Sequence, residues 1–262
     1  MNVWEAAFLG LIQGLTEFLP VSSSGHLVIF QDILGLDEPG LTLEVLLHFG
    51  TLFSVLFVFG KDFLALLNFR EDRKQRYLIY MLLAGLVATG MIGILLYNFA
   101  GILFGSTLLV GFMLLVTGGI LFLLTIIPEG KKQVTDMKVK DAIWIGLLQG
   151  FAVIPGISRS GSTIMAALWR GLDRETAVKY SFMLSAPVIF GATLLEIREM
   201  IVVGIEQVMV LNYIVGGLVA FLAGILAIKV FIRALASQKF HYFAYYCWAA
   251  GSLVIIISLI RL

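Results

Sequence analysis

Six long apolar segments constrain the fold of this chain more than any other feature of its sequence. A helix that crosses the hydrocarbon core of a bilayer needs about 20 mostly apolar residues. Segments of roughly that length cover residues 41–59, 77–97, 102–127, 176–195, 208–231 and 242–260. The mean hydropathy of +1.01 agrees with this assignment. The sequence therefore predicts an all-α polytopic membrane protein with six transmembrane helices.

Two further apolar segments, 3–19 and 141–154, are short, and each runs into a proline followed by a Ser/Gly cluster. A second short apolar segment follows each cluster. Non-helical backbone at membrane depth is tolerated only where protein or a water-filled cavity surrounds it. The pattern predicts two re-entrant helical hairpins, at 3–34 and 141–172. The alternative is that each is an ordinary transmembrane helix kinked at its proline.

The distribution of basic residues supports the hairpins. If each hairpin returns to its own side, one side of the membrane holds 15 of the 18 Lys and Arg residues. The other side holds Arg198 and Arg261, and Arg159 lies at a hairpin apex. The positive-inside rule makes the basic side cytoplasmic, which places both termini outside. The net charge of +1 gives no indication of a nucleic-acid partner.

The two broken segments resemble each other at a constant offset of 136 residues. The matching pairs are Gly10/Gly146, Leu11/Leu147, Gln13/Gln149, Gly14/Gly150 and Gly25/Gly161. The chain reads as one membrane domain of two repeats, about 1–127 and 139–262, each with a hairpin and three spans. Three spans are an odd number, so the repeats are inverted. Inverted repeats with broken helices place a site near the membrane midplane, and this architecture leaves a transporter open as an alternative.

The polar residues of the two hairpins form the predicted site. Glu17 is four residues after Gln13 and shares its helical face, and ionisable side chains at membrane depth are costly and functional. The other candidates are Ser22, Ser23, Ser24, Gly25 and His26 in the first hairpin, and Ser158, Arg159, Ser160, Gly161 and Thr163 in the second. In the first span, Glu44 and His48 share a face and are candidates for the pocket mouth. Tyr246 is predicted to be one of several interfacial anchors near helix ends.

These residue types favour phosphate chemistry. Arginine, hydroxyls, glycine-rich backbone and helix N-termini together bind anions. Glu17 would repel a bare phosphate, so it acts either as a base or as a ligand of a divalent cation that bridges phosphate oxygens. A serine or His26 could be the nucleophile, and His26 or Glu17 the proton carrier.

The segments "QGLTEFLPVSSSGH" and "PGISRSGST" resemble the signatures of the bacterial undecaprenyl-diphosphate phosphatases, the bacitracin-resistance family. The resemblance covers essentially the whole chain. It implies a phosphatase of the bacterial inner membrane that hydrolyses undecaprenyl diphosphate to undecaprenyl phosphate and inorganic phosphate. That reaction recycles the lipid carrier for peptidoglycan synthesis and confers bacitracin resistance. The resemblance also implies a divalent cation, Mg²⁺ or Ca²⁺, and a site that faces the periplasm.

Carried over to this chain, the family's functional positions are Gln13, Glu17, Ser23, His26, Ser158, Arg159, Ser160 and Thr163. At the first of these positions this chain has the neutral Gln13, so Glu17 is the one charged metal ligand of the first motif. We favour Ser23 as the nucleophile, with attack by a metal-activated water as the alternative. Ser22, Ser24, Gly25, Gly161 and His48 are assigned to substrate binding. The polyprenyl tail should stay in the bilayer, in an apolar groove leading to the site. A flippase for a polyprenyl phosphate remains the alternative function, and a homodimer is an open oligomeric state.

Overall fold

The computed structural model describes residues 1–36, 41–97, 99, 103, 105–128, 130–203, 207–236 and 240–261. These residues form an all-α structure. Its helices are α1 (Val3–Phe18), α2 (Ser23–Ile33), α3 (Leu41–Val58), α4 (Gly60–Leu66), α5 (Arg73–Tyr97), α6 (Thr107–Ile126), α7 (Val139–Phe151), α8 (Arg159–Trp169), α9 (Arg174–Val203), α10 (Gln207–Ala236) and α11 (Phe240–Arg261). A short 3₁₀ turn, Val134–Asp136, precedes α7.

Within the described ranges, five helices are long and apolar enough to cross a membrane: α5, α6, α9, α10 and α11. The bent pair α3 and α4 makes a sixth candidate if it counts as one span. The chain is therefore a multi-pass membrane protein. The predicted first span, 41–59, coincides with α3, and the helix axis turns by 78° directly after it, between α3 and α4. The turn comes where Lys61 and Asp62 interrupt the apolar run, because these side chains favour water over lipid.

The two short apolar segments are broken where the sequence predicts. Leu19 is extended, with φ −70° and ψ 143°, as expected for a residue that precedes a proline. After each break the new helix starts with a serine cap. Ser22 Oγ accepts a hydrogen bond from Gly25 N at 3.3 Å, and Ser158 Oγ accepts one from Gly161 N at 3.0 Å. Both second helices, α2 and α8, therefore begin with a serine whose Oγ accepts from the N–H three residues later, although the cap backbones differ, with φ 70° at Ser22 and −74° at Ser158.

Each hairpin packs against a long helix from the other half of the chain. α1 lies against α10, and α7 lies against α5, while α6 and α11 pack together. A Cβ at Gly10 would overlap the backbone carbonyl of Gly216, and a Cβ at Gly146 would overlap that of Gly85. Glycine is needed at such crossings because the two helix backbones touch. Gly10 and Gly146 are also one of the matching pairs of the sequence repeat.

A buried ion pair closes the base of the second hairpin. Asp141, in the first turn of α7, is fully buried, and its Oδ1 accepts a hydrogen bond from Arg170 Nε at 2.6 Å. Lys132 Nζ lies 3.7 Å from Asp141 Oδ2 and donates to the Arg170 carbonyl at 2.9 Å. The start of α7 and the end of α8 are thereby joined, which holds the hairpin apex between them in place.

Candidate active site

The carboxylate of Glu17 is the centre of the predicted polar cluster. Glu17 lies in the last turn of α1 and is 6% exposed. Its Oε2 accepts hydrogen bonds from Ser23 Oγ at 2.5 Å and from Gln13 Nε2 at 3.0 Å. His48 Nε2 is 3.3 Å from the same oxygen, and Arg159 Nη2 donates to Oε1. Residues from α1, α2, α3 and α8 thus converge on one carboxylate.

The apices of the two hairpins touch through Ser22. Among the described residues, Ser22 is the one non-glycine residue with a positive φ, at 70°. Its Oγ accepts a hydrogen bond from Gly156 N in the other hairpin at 3.1 Å. A Cβ at Gly25 would lie 2.9 Å from Gly156 Cα. A strained backbone of this kind persists only where its surroundings hold it, and here the bonds of Ser22 to both hairpins do so.

Thr117 of α6 holds the second apex, a role that the sequence analysis missed. Its Oγ1 donates to the Gly156 carbonyl at 2.7 Å and accepts from Ser158 N at 3.0 Å. Thr117 is fully buried. A single threonine in an apolar span commonly bonds to its own helix, so the sequence contained no signal for this contact.

The remaining predicted hydroxyls lie around the cluster, and not all of them face Glu17. The Oγ atoms of Ser158 and Ser160 are 3.3 Å apart, and those of Ser22 and Ser24 are 3.5 Å apart. Thr163 Oγ1 instead lies 2.5 Å from Ser181 Oγ on α9. In this structure Thr163 therefore ties α8 to α9.

His26, at the start of α2, uses both ring nitrogens within the protein. Nδ1 lies 2.7 Å from the carbonyl oxygen of Ser22, and Nε2 lies 2.7 Å from the hydroxyl of Tyr246 on α11. Across the described residues, neither nitrogen bonds to Glu17, Ser23 or Arg159. Tyr246 was predicted to be an interfacial anchor, and its contact with His26 could not be read from the sequence.

Two buried polar atoms of the cluster have no hydrogen-bond partner among the described residues: Gln13 Oε1 and Arg159 Nη1. A buried polar atom without a partner costs free energy unless water or a ligand satisfies it, and the same holds for Gln31 Nε2 and Gln149 Oε1 outside the cluster. Arg159 Nη1 can donate to an anion, and Gln13 Oε1 can coordinate a cation. Within the described residues no group of three His, Cys, Asp or Glu side chains could hold a metal. A cation here would therefore depend on Glu17 and on neutral oxygens such as Gln13 Oε1.

An apolar groove of about 750 Å³ lies between α3 and α10. Its walls include Phe49, Phe53 and Phe57 from α3 and Tyr213, Ile214 and Leu218 from α10. The sequence predicted an apolar groove that leads from the bilayer to Glu17 and Arg159, and neither of these residues lines this groove. His48 and Phe49 are neighbours on α3, so the helix that lines this groove also carries a residue that contacts Glu17.

A family profile described as Bacitracin resistance protein BacA matches residues 6–253. The chain is similar to several proteins named undecaprenyl-diphosphatase. The protein from Halothermothrix orenii is 48% identical over 258 residues, which cover 98% of this chain and 99% of the relative. The protein from Alkaliphilus metalliredigens is 42% identical over 275 residues, 99% of this chain and 100% of the relative. The protein from Carboxydothermus hydrogenoformans is 40% identical over 263 residues, 98% of each chain.

Proposed function

The chain belongs to the bacitracin resistance protein family and is an undecaprenyl-diphosphatase, and we propose that the Glu17 cluster is its active site. The observation that carries this proposal is the contact between Arg159 and Glu17. It brings Arg159, at the apex of the second hairpin, onto Glu17 near the break of the first. The unpartnered Nη1 of Arg159 then supplies a donor for the diphosphate.

In the proposed reaction, Arg159 and the starts of α2 and α8 bind the diphosphate head group. Helix N-termini carry free N–H groups and partial positive charge, which favours phosphate. In the structure Arg159 is paired with Glu17. A bound diphosphate competes for the guanidinium because phosphate oxygens accept its planar N–H groups in pairs. Substrate binding thus weakens the Arg159–Glu17 contact and frees the carboxylate for its own role.

Ser23 is the proposed nucleophile. Its hydroxyl donates to Glu17 Oε2 at 2.5 Å, which is the arrangement of a nucleophile beside a general base. The Ser23 oxygen bonds to the terminal phosphorus while Glu17 takes its proton. The bond from that phosphorus to the bridging oxygen breaks, and undecaprenyl phosphate leaves. Water then attacks the phosphoserine and releases inorganic phosphate. Direct attack by water on the diphosphate is the alternative.

A divalent cation, Mg²⁺ or Ca²⁺, is part of the proposal. Both prefer oxygen ligands, and the Glu17 carboxylate with the unpartnered Gln13 Oε1 fits that preference. A cation bound there would neutralise charge on the phosphate oxygens. Because Gln13 is neutral, Glu17 supplies the negative charge of this part of the site.

We also propose that the chain comprises two inverted repeats, with six spans and two re-entrant hairpins, in the bacterial inner membrane. The packing of α1 on α10 and of α7 on α5 supports equivalent roles for the two halves. The basic residues support termini outside and a site that opens to the periplasm. The polyprenyl tail lies in the groove between α3 and α10, and the head group reaches Glu17 from the bilayer.

Maleimide labelling in whole cells of Asn2→Cys and Arg73→Cys, each in a Cys247→Ser background, tests the orientation.

Purified full-length protein in detergent tests the site. Substrate labelled in its terminal phosphate should transfer the label to protein in an acid quench, and Ser23→Ala should abolish both labelling and turnover. Turnover by Ser23→Ala at the wild-type rate would reject Ser23 as the nucleophile. Turnover of the wild type without labelled protein, with inversion at phosphorus, would favour direct attack by water. Because hydrolysis needs no second compartment, release in detergent also separates the enzyme from a flippase.

A further inference from the structure

The contact between His26 and the Ser22 carbonyl shows which nitrogen of the imidazole carries the proton. The carbonyl oxygen of Ser22 can only accept a hydrogen bond, so Nδ1 at 2.7 Å must donate. In neutral His26, Nε2 is then an acceptor, and the Tyr246 hydroxyl at 2.7 Å donates to it. The two rings are nearly parallel, with 7° between their planes. The Ser22 carbonyl therefore sets the tautomer of His26, and the Tyr246 hydroxyl holds the orientation of the ring through Nε2.

The Ser22 carbonyl that accepts the hydrogen bond from His26 Nδ1 belongs to the strained residue at the apex. It also accepts the backbone N–H of His26 at 3.2 Å. The side chain of Ser22 bonds to Gly156 in the second hairpin, and Ser23, the next residue, bonds to Glu17. A chain of contacts thus runs from α11 through His26 to the turn that presents the proposed nucleophile.

We propose that Tyr246 is a positioning residue, which acts through His26 to hold the Ser22 turn so that Ser23 stays on Glu17. This inference rests on the proposed assignment of the Glu17 cluster as the active site. It also gives His26 a holding function, because both of its nitrogens are engaged and neither bonds to Glu17, Ser23 or Arg159 in the described part of the chain. In other enzymes, a hydrogen bond to the second ring nitrogen likewise fixes the tautomer and orientation of a functional histidine.

Tyr246→Phe is the first variant, because it removes the hydroxyl and keeps the ring. In purified full-length protein acting on undecaprenyl diphosphate, we expect kcat to fall about tenfold, the scale of one lost hydrogen bond that holds the reacting geometry. KM should stay within about twofold because no contact to substrate is removed. Tyr245→Phe is the matched control. Tyr245 is the preceding residue and contacts the rings of His241 and Trp248, so its loss of a hydroxyl should leave kcat unchanged.

His26→Asn and His26→Ala separate positioning from chemistry. The asparagine amide can donate a hydrogen bond near the former place of Nδ1, yet it cannot accept and release a proton as an imidazole does. We expect His26→Asn to keep activity within about tenfold of wild type and His26→Ala to lose considerably more. Adding Tyr246→Phe to His26→Asn should cause no further loss, since the two residues act as one unit. An asparagine variant as inactive as the alanine variant would overturn the inference and assign the chemistry to His26 itself.

Nitrogen-15 NMR of the imidazoles gives a readout that does not depend on turnover. The chain has three histidines, and His26→Asn identifies the signals of His26. We expect a protonated Nδ1 and a hydrogen-bonded, unprotonated Nε2 in the wild type, and a change at Nε2 in Tyr246→Phe. Unchanged signals in Tyr246→Phe would overturn the inference even if all activity data fit. If the wild type released no phosphate, the proposed function would fail, while the NMR result would still decide whether Tyr246 holds His26.

Discussion

Arg159 donates a hydrogen bond to Glu17 across 142 residues of sequence. The carboxylate is 4% exposed and the arginine side chain 16% exposed. A buried pair of this kind is a poor source of stability, because desolvating both charges offsets much of their attraction. In the proposed mechanism the pair has a functional role, since each partner holds the other where a phosphate or a cation can take over the contact.

Replacing Glu17 by glutamine keeps the shape of the side chain and removes its charge. We expect Glu17→Gln to lower kcat by about 100-fold or more, since general-base contributions are of that size and the cation loses its charged ligand. Phosphate release by purified protein is the measurement. Glu71→Gln makes the same change at an exposed residue outside the Glu17 cluster, and it should behave like the wild type. A Glu17→Gln enzyme with wild-type turnover would remove Glu17 from the mechanism.

Arg159→Lys keeps the positive charge and loses the planar fork of donors. We expect kcat/KM to fall roughly tenfold in Arg159→Lys and further in Arg159→Ala, because paired guanidinium–phosphate bonds are lost in the first and the charge in the second. Initial rates across a substrate series measure both parameters. The exposed change Arg73→Lys is the control. Equal activity of Arg159→Lys and the wild type would show that only a point charge is needed.

Gln13→Glu tests the cation site directly. Gln13 Nε2 donates to Glu17 Oε2 at 3.0 Å, while Gln13 Oε1 has no partner among the described residues. A second carboxylate at residue 13 raises the affinity of an oxygen site for Mg²⁺ or Ca²⁺. We expect phosphate release, after removal of metal with EDTA, to recover at a lower concentration of added cation in Gln13→Glu than in the wild type. Identical recovery curves would place the cation elsewhere.

Asp141→Asn tests the ion pair at the base of the second hairpin. Burial raises the pKa of the Asp141 carboxyl, but the Lys138 N–H and the Arg170 guanidinium lower it more, so its net pKa lies below the usual range. A carboxyl of this kind stabilises the fold above its unfolded pKa of about 3.9, and the stabilisation is lost as the pH falls through the lower folded value. We expect Asp141→Asn to lower the free energy of unfolding at pH 7 by about 1.5–3 kcal/mol, the scale of a lost hydrogen bond to a charged group, because Arg170 and Lys132 are partly exposed and water can solvate them.

Thermal unfolding in detergent at pH 7 and below pH 4 measures this effect. The difference in Tm between the wild type and Asp141→Asn should narrow at the lower pH, because Asp141 is then protonated in the unfolded wild type and its charge favours the folded state less. Asp62→Asn is the comparison, since the Asp62–Lys179 pair is partly exposed and should contribute about 1 kcal/mol or less. An equal loss of stability in both variants would contradict the assignment of Asp141 as a buried clamp.

The helix crossing at Gly10 gives a stability prediction with an internal control. Gly10→Ala places a methyl group against the Gly216 carbonyl and should destabilise the fold by about 1–3 kcal/mol. Gly90→Ala lies in α5 with nothing within 4 Å of the new Cβ. It should be neutral or stabilising by up to about 1 kcal/mol, because alanine favours a helix more than glycine does. A lower Tm for Gly90→Ala than for Gly10→Ala would refute the packing argument.

The spans and the breaks in the hairpins could be predicted because they depend on local properties. Apolar length identifies a span, and Pro20 and Pro155 with their Ser/Gly clusters identify the breaks. The convergence on Glu17 could be anticipated because a charged side chain in a membrane needs a partner. Thr117 and Tyr246 could not be found in this way. Each is an ordinary residue of a long helix, and its role comes from which helix packs beside it.

The reciprocal packing of the hairpins has a consequence for biogenesis. Glu17 leaves the ribosome 142 residues before Arg159, an interval of roughly 7 to 30 seconds at common rates of synthesis. α10, the helix against which α1 packs, is made later still. The first hairpin therefore enters the membrane with its carboxylate, histidine and serines lacking their final neighbours. Nascent chains truncated before α10 should be early substrates for membrane quality-control proteases, whatever their catalytic residues.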